Sequence, residues 1–292
     1  MGVIDYVVPM VFHVDSQWRE DYQRVGGAFT ISNTSFVRYR SWGTEELLVR
    51  AIRKNMPFVR DIIILLSRES QRREWMTGKG LRVVYHHEFI PDCYLPTFNS
   101  RAIEMFLHNI PGLSERFLYA NDDMYPLSRL KVTDFFRRGK PCLHIVEKPY
   151  PSAPNGFQQA CMSGLNFVAK EFGMSFGKTW LRNGHSVAPI LKSTCEHLWE
   201  IGGEEIKKSI SPFRLSRNFN QYIYTWWQYL SGEYIDYAPP RKYVDVKSTT
   251  DDVATAIREG TGIVCVNDNE CVSNYKAYAH AVALALEERL NS

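Results

Sequence analysis

The sequence predicts an α/β protein with a central, mainly parallel sheet and a mainly helical C-terminal portion. Two observations lead there. Short apolar runs of strand length alternate with stretches of helical periodicity, which is the pattern of parallel crossover units. Several of those runs also end abruptly in polar or acidic residues, and in open α/β sheets the carboxyl ends of the strands form the ligand crevice.

The first strand is expected in Ile4-Asp5-Tyr6-Val7-Val8-Pro9-Met10-Val11-Phe12, a β-branched and aromatic run that gives way to His13-Val14-Asp15-Ser16. A helix should begin near Gly43 with Leu47, Leu48, Ala51 and Ile52 on one face, and it must stop by Pro57, which lacks the backbone donor. Asp61-Ile62-Ile63-Ile64-Leu65-Leu66-Ser67 and Leu81-Arg82-Val83-Val84-Tyr85-His86-His87 read as the next two strands, with a helix through Gln71, Arg73 and Trp75 between them. Asn99 to His108 reads as helical. Arg116-Phe117-Leu118-Tyr119-Ala120 is a further strand that runs directly into Asn121-Asp122-Asp123. On this reading Asp15, His86, His87, Asp122 and Asp123 gather at one crevice.

From Lys131 to Asn155 prolines and short strands suggest an excursion from the sheet. A soft boundary there divides an α/β core, residues 1–130, from an excursion and mainly helical region, residues 131–292, the two forming one integrated domain. The second part holds the aromatic run Tyr222, Tyr224, Trp226, Trp227 and Tyr229, read as a core helix. It also holds the strand Gly262-Ile263-Val264-Cys265-Val266-Asn267-Asp268 and a last helix from Tyr275 to Leu290.

Composition narrows the function classes. The 292 residues are 45% hydrophobic and 13% aromatic, enough for a large core, and the net charge of +3 does not call for a nucleic-acid partner. No apolar run approaches the roughly 18 to 20 residues that span a bilayer, and the N-terminus has no secretory pattern. The six cysteines, Cys93, Cys142, Cys161, Cys195, Cys265 and Cys271, show no C-x-x-C or other zinc spacing. Buried thiols in a reducing cytoplasm are the expectation.

The chemistry-bearing candidates start with Asp122 and Asp123, whose crowding after an apolar strand suits a hard divalent cation, Mg²⁺ or Mn²⁺. The same residues would also serve as a simple turn or helix cap. Arg38, Arg40 and Arg50 offer guanidinium forks matched to phosphate oxygens. Asn99 and Ser100 suit either a helix cap or a substrate contact. His185, in the loop-like Asn183-Gly184-His185-Ser186, offers an acid or base near neutral pH, and Arg214 another phosphate contact.

Taken in order, these segments resemble the Stealth family. Its members are hexose-1-phosphate transferases of bacterial capsule and exopolysaccharide synthesis, related to the lysosomal-enzyme N-acetylglucosamine-1-phosphotransferase of animals. The first block of the resemblance is Ile4 to Val11 followed by Asp15 and Trp18. The longest runs from Arg38-Tyr39-Arg40 through Arg50, Pro57-Phe58-Val59-Arg60, Leu95-Pro96-Thr97-Phe98-Asn99-Ser100 and Ile110-Pro111-Gly112 to Asn121-Asp122-Asp123. A third comprises His185, Pro189, Lys192, Arg214, Asn218, Asn220 and Gln221, and the last is Val264-Cys265-Val266-Asn267-Asp268. Ser41 stands where many members have aspartate, and Phe58 where tryptophan is more usual.

The resemblance implies a Rossmann-like or glycosyltransferase A-like core that moves a sugar together with one phosphate from a UDP-sugar to a polysaccharide or lipid-linked oligosaccharide, releasing UMP. It implies catalytic roles for Asp122, Arg214 and one of Asp15 and His185, with Mg²⁺ or Mn²⁺ on Asp122 and Asp123. It further implies substrate contacts from Arg38, Arg40, Arg50, Asn99, Ser100, Asn121, Lys192, Asn218, Asn220 and Asp268. A conventional glycosyltransferase releasing UDP and a non-catalytic assembly scaffold are the alternatives. Acceptors of this kind would bring the protein to the inner membrane face as a peripheral visitor.

Overall fold

A computed structural model of the chain describes residues 2–27, 36–246, 249–268 and 274–292, apart from the side chains of residues 36 and 37. Cys271 therefore lies outside the described residues. The chain runs β1 (Ile4–Pro9), α1 (Ser16–Arg24), α2 (Glu45–Asn55), β2 (Val59–Leu66), β3 (Leu81–Tyr85), α3 (Ser100–Met105), β4 (Arg116–Tyr119) and β5 (Met124–Pro126). It continues with β6 (Phe136–Arg137), β7 (Lys140–Leu143), β8 (Ile145–Pro149), α4 (Gly156–Ala169), β9 (Thr179–Asn183), β10 (Ala188–Leu191) and α5 (Lys192–Ser209). The last elements are α6 (Tyr222–Leu230), β11 (Ile235–Asp236), β12 (Arg241–Asp245), α7 (Thr250–Glu259), β13 (Ile263–Asn267) and α8 (Tyr275–Asn291).

The central sheet has the order β10-β4-β1-β2-β3, parallel throughout except for β10, which joins its edge antiparallel to β4. The α/β expectation thus holds. Strand alternation explains the layering, because successive side chains point to opposite faces. Tyr6, Val8, Ile62, Ile64 and Leu118 face a core shared with α2, α7 and α8. Val7, Ile63, Leu65, Phe117 and Tyr119 face a second core shared with α3, α4, α5 and α6. A strand buried on both faces must be apolar at every position, which is why β2 reads as a continuous apolar run.

Local signals set the helix ends. Glu45 and Glu46 in the first turn of α2, with Arg53 and Lys54 in its last, complement the helix dipole. Asn155 and Gln158 form a reciprocal capping box on α4. The aromatic run is the core helix it was expected to be, with Tyr224 and Trp226 fully buried in α6.

Two expectations fail here. No α-helix forms through Gln71, Arg73 and Trp75; a single 3-10 turn at Glu69–Gln71 and loops make that crossover. Gln71 is buried and its side chain exchanges hydrogen bonds with the backbone of Phe12, while Gly78 and Gly80 take positive φ, so the segment is tied down as an irregular turn. The helix expected from Asn99 to His108 ends at Met105 and tightens into a 3-10 turn at Leu107–Asn109.

One buried charge holds the base of the sheet. Asp5 is fully buried in β1 and accepts from Arg60 Nε at 2.9 Å and Nη2 at 2.7 Å, and from the Ser114 backbone N–H at 2.8 Å. Removing the cation leaves a desolvated carboxylate with one donor. Arg60→Ala is expected to lower stability by about 3 kcal/mol in urea denaturation, with little change in the site chemistry at the opposite strand ends.

Candidate active site

At the carboxyl ends of β1 and β4 the structure opens a cavity of about 1020 Å³, lined from both parts of the sequence. Its position follows from topology. β4 delivers Asn121, Asp122 and Asp123 past its last residue, and β13, antiparallel to β5, runs beside them with Val266 N–H donating to the Asp123 carbonyl at 3.0 Å. That pairing carries Asn267 and Asp268 to the same wall. Because β10 pairs Ala188 with Tyr119, the loop before it places His185 there too.

This wall is acidic. Burial, together with the carboxylates of Asp123, Glu45 and Asp268, pushes the Asp122 carboxyl up to about 8. Burial also raises Asp123, partly offset by His185. One oxygen of Asp123, Oδ1, is buried with no hydrogen-bond partner, and Oδ2 accepts from the Cys265 thiol at 3.4 Å. Burial and Asp123 raise the Cys265 pKa far above its ordinary value, so the sulfur stays a thiol. Ligand atoms of Asp123, His185 and Cys265 all lie within 4.8 Å of one another. An orphaned carboxylate oxygen among mutually repelling acids fits a hard divalent cation held by the carboxylates.

The same wall is braced by the segment before α2. Asp268 accepts from Arg40 Nε and Nη2, each at 2.6 Å, and from Trp42 Nε1 at 3.0 Å. Ser41 donates to Glu45 at 2.5 Å, so a carboxylate four residues on reaches the cavity although Ser41 itself lacks one.

The same cavity is lined by a basic group, Arg38, Arg101 and Arg214. Arg101 is buried on α3 and donates to the Leu215 carbonyl at 2.9 Å. Burial and then the neighbouring Arg214, with a smaller contribution from Arg38, bring its pKa down to about 10. Arg214 donates to Ser100 Oγ at 2.9 Å. The buried carboxylate of Glu104 lies beside Arg101 and Arg214 and offsets part of their charge, and the remaining excess of guanidinium groups suits an anion bearing several oxygens. An aromatic cluster positions them: Trp18, Tyr22, Tyr39, Phe98 and Phe213 stack edge and face, and Tyr39 donates to the Phe98 carbonyl at 2.7 Å.

Of the candidates from sequence, Arg38, Arg40, Ser100, Asn121, Asp122, Asp123, His185, Arg214, Asn220 and Asp268 line the cavity. The others do not. Asp15 caps α1, accepting from Trp18 N–H at 2.7 Å, because β1 ends at Pro9 and the chain turns before reaching it. Arg50 is exposed and donates to Asn291 at 3.1 Å, since Leu47, Leu48, Ala51 and Ile52 claim the inner face of α2. Arg50→Ala is therefore expected to change activity less than twofold and stability by less than about 0.5 kcal/mol in parallel assays of turnover and unfolding.

Lys192 follows β10 at the end that pairs with Arg116, so it stands at the other end of the strands from the cavity, beside Glu196 at 3.4 Å. Asn99 and Asn218 are buried and act on the loop that carries Arg214. Asn99 Nδ2 donates to the Ser211 carbonyl and to Asn218 Oδ1, each at 3.0 Å, and Asn218 Nδ2 donates to Ser211 Oγ at 2.8 Å. Neither side chain lines the cavity, and both brace the Ser211–Phe213 segment that leads into Arg214. His86 lines the cavity as a buried neutral ring, its pKa lowered to about 3 by burial and His87, whereas His87 is exposed.

Sequence reasoning missed Arg101, Glu45, Arg182 and Arg241. Arg101 follows directly on Ser100 in the matching block, a signal that was present. Arg182 and Arg241 come from strands outside the central sheet, and nothing in their local sequence marks them.

Residues 38–142 match the family model of Stealth protein CR2, conserved region 2. The capsular polysaccharide phosphotransferase WcwK of Streptococcus pneumoniae is 30% identical over 304 residues, covering 92% of this chain and 91% of that protein. The receptor polysaccharide phosphotransferase WefC of Streptococcus gordonii is 30% identical, covering 79% of each. A solved structure of the galactosyltransferase LgtC with donor and acceptor sugar analogs aligns over 97% of this chain and 95% of that one, at 12% identity and a TM-score of 0.45, too remote to carry a chemical argument.

Proposed function

Because this chain belongs to the Stealth family, whose relatives matched here are bacterial polysaccharide phosphotransferases, we propose that it transfers a sugar-1-phosphate from a UDP-sugar to a hydroxyl of a bacterial surface polysaccharide or its lipid-linked precursor. The observation that carries the chemistry is that an acidic group, Asp122 with Asp123, and a basic group, Arg101 with Arg214, line one cavity.

A diphosphate donor needs both groups. Mg²⁺ or Mn²⁺ held by Asp123 and Asp122 would supply neutralisation of the donor's phosphate oxygens. Arg214, fixed by Ser100 and by the loop that Asn99 and Asn218 hold, gives its guanidinium fork to the transferring phosphate. Arg101 and Arg38 spread the positive potential behind it. Such transfer depends mainly on alignment and on charge neutralisation.

The acceptor hydroxyl attacks the β-phosphorus, a new O–P bond forms, and the bond from the β-phosphorus to the bridging oxygen breaks. UMP leaves and the sugar keeps its anomeric oxygen. We assign the acceptor proton to His185, which lines the cavity beside Asp123, rather than to Asp15, which caps a helix outside it. Asn121 and Asn220 line the cavity as uncharged polar contacts, and the Arg40–Asp268 pair holds the wall in shape.

Among the described residues no helix is long and apolar enough to cross a membrane. A peripheral position at the cytoplasmic face, where nucleotide sugars and lipid-linked glycans meet, is part of the proposal.

The test is the released nucleotide. Purified protein incubated with UDP-sugars, Mg²⁺ or Mn²⁺ and oligosaccharide acceptors is expected to release UMP on chromatography. Release of UDP would assign attack to the anomeric carbon and overturn the reading.

A further inference from the structure

The same cavity has a second basic surface. β8 and β9 form an antiparallel ribbon in which Val146 pairs with Arg182 and Lys148 with Trp180, so these four side chains share one face. All four line the cavity, Trp180 from a buried position in the second core; on the other face of the ribbon Leu181 lines it as well and Glu147 does not. Among the described residues neither Lys148 nor Arg182 makes an ion pair.

Arg241, from the edge strand β12, completes the surface. Its guanidinium lies directly over Gly184, so closely that a Cβ there would run into Arg241 Cζ. Two residues on, Tyr243 meets the His185 ring edge-on with centroids 5.8 Å apart. The cationic ribbon therefore adjoins the residue assigned to receive the acceptor proton.

Rings connect this surface to the donor's basic group. Phe157 is exposed within the cavity, 5.9 Å from the Arg101 guanidinium on one side and 6.3 Å from the Tyr222 ring on the other. Tyr222 in turn lies within the field of Arg182. Aromatic faces flanked by unpaired cations suit a sugar ring that carries an anionic substituent.

We propose that Lys148, Arg182 and Arg241, with Trp180 and Phe157, form the acceptor subsite, and that the acceptor glycan it selects bears a phosphate group close to the hydroxyl that is extended. The assignment rests on the phosphotransfer reading above, with His185 marking the acceptor side. The phosphate would belong either to a phosphodiester already in the glycan or to the diphosphate joining the glycan to its lipid carrier.

Equilibrium binding without donor tests this independently of turnover. A synthetic hexose tetrasaccharide is titrated in three forms: neutral, with a methyl phosphodiester on its internal sugar, and with a diphosphate at its reducing end. One phosphorylated form is expected to bind on the order of tenfold more tightly than the neutral one, and which form does so identifies the source of the phosphate. The preference should fall to about twofold or less in Lys148→Gln/Arg182→Gln and weaken with added salt. Gly184→Ala, which displaces Arg241, should reduce it in part. Equal binding of all three forms, or a preference that survives the double substitution, overturns the subsite. Because no transfer is needed, a failed phosphotransfer reading would show in the released nucleotide and leave this binding result standing.

Discussion

Asp122→Asn is expected to lower kcat by a factor on the order of 10³, with the protein folded. The carboxylate belongs to a crowded set with Asp123, Glu45 and Asp268, and burial adds to the cost of its charge. Such an arrangement opposes stability in the absence of a cation, so the variant should unfold no earlier than the parent in metal-free buffer. That pairing of outcomes separates a functional role from a structural one. Thermal unfolding with and without Mn²⁺, beside turnover with the same protein, reads both. A variant that is fully active, or that keeps the parent's metal-induced stabilisation, would remove Asp122 from the site.

Arg214→Ala should lower kcat by roughly 10²-fold, because a donor aimed at the transferring phosphate matters most where charge accumulates. Arg214→Lys should recover only part of that loss, since an ammonium replaces a planar fork with a point charge. The supporting frame gives the argument its specificity. Asn99 and Asn218 tether the loop at Ser211, and Ser100 accepts from Arg214 directly. Asn99→Ala should therefore impair the same step while also lowering stability, because buried partners lose their donor. Steady-state kinetics with urea midpoints for the three variants resolves the two effects. Equal kcat for Arg214→Ala and the parent would move the phosphate contact elsewhere.

Much of this molecule was legible in sequence, for reasons that can be named. Strands buried on both faces announce themselves, as β2 does, and a carboxylate pair that follows an apolar strand has few other places to be. The crossover after β2 was misread because Gln71 is held by backbone partners near Phe12, a contact spanning 59 residues that no local pattern contains. Asp15 was misplaced for a related reason: it stands near a strand end in sequence, but the turn after Pro9 carries it away from the cavity. Lys192, a substrate contact only by the resemblance, follows the antiparallel β10 to the other end of the strands. Arg50 could have been excluded by the periodicity of α2 itself, whose inner face was already filled by leucine, alanine and isoleucine.

The resemblance supplied what periodicity could not, the difference between moving a sugar and moving a sugar with its phosphate, and the relatives matched are phosphotransferases by name. The proposal joins that chemistry to a cavity that Asp122, Asp123, Arg101, Arg214 and His185 all line. The ribbon cations would not be found from spacing alone, because tertiary pairing brings them in from separate elements.

The most direct measurement follows the phosphorus. A UDP-sugar carrying ³²P only in its β-phosphate is incubated with the protein, Mg²⁺ or Mn²⁺ and an acceptor glycan, and the label is traced after separation. The account predicts that the label moves into the glycan and resists phosphatase until the phosphodiester is cleaved. Label that remains on the nucleotide while the glycan gains an unphosphorylated sugar would contradict it.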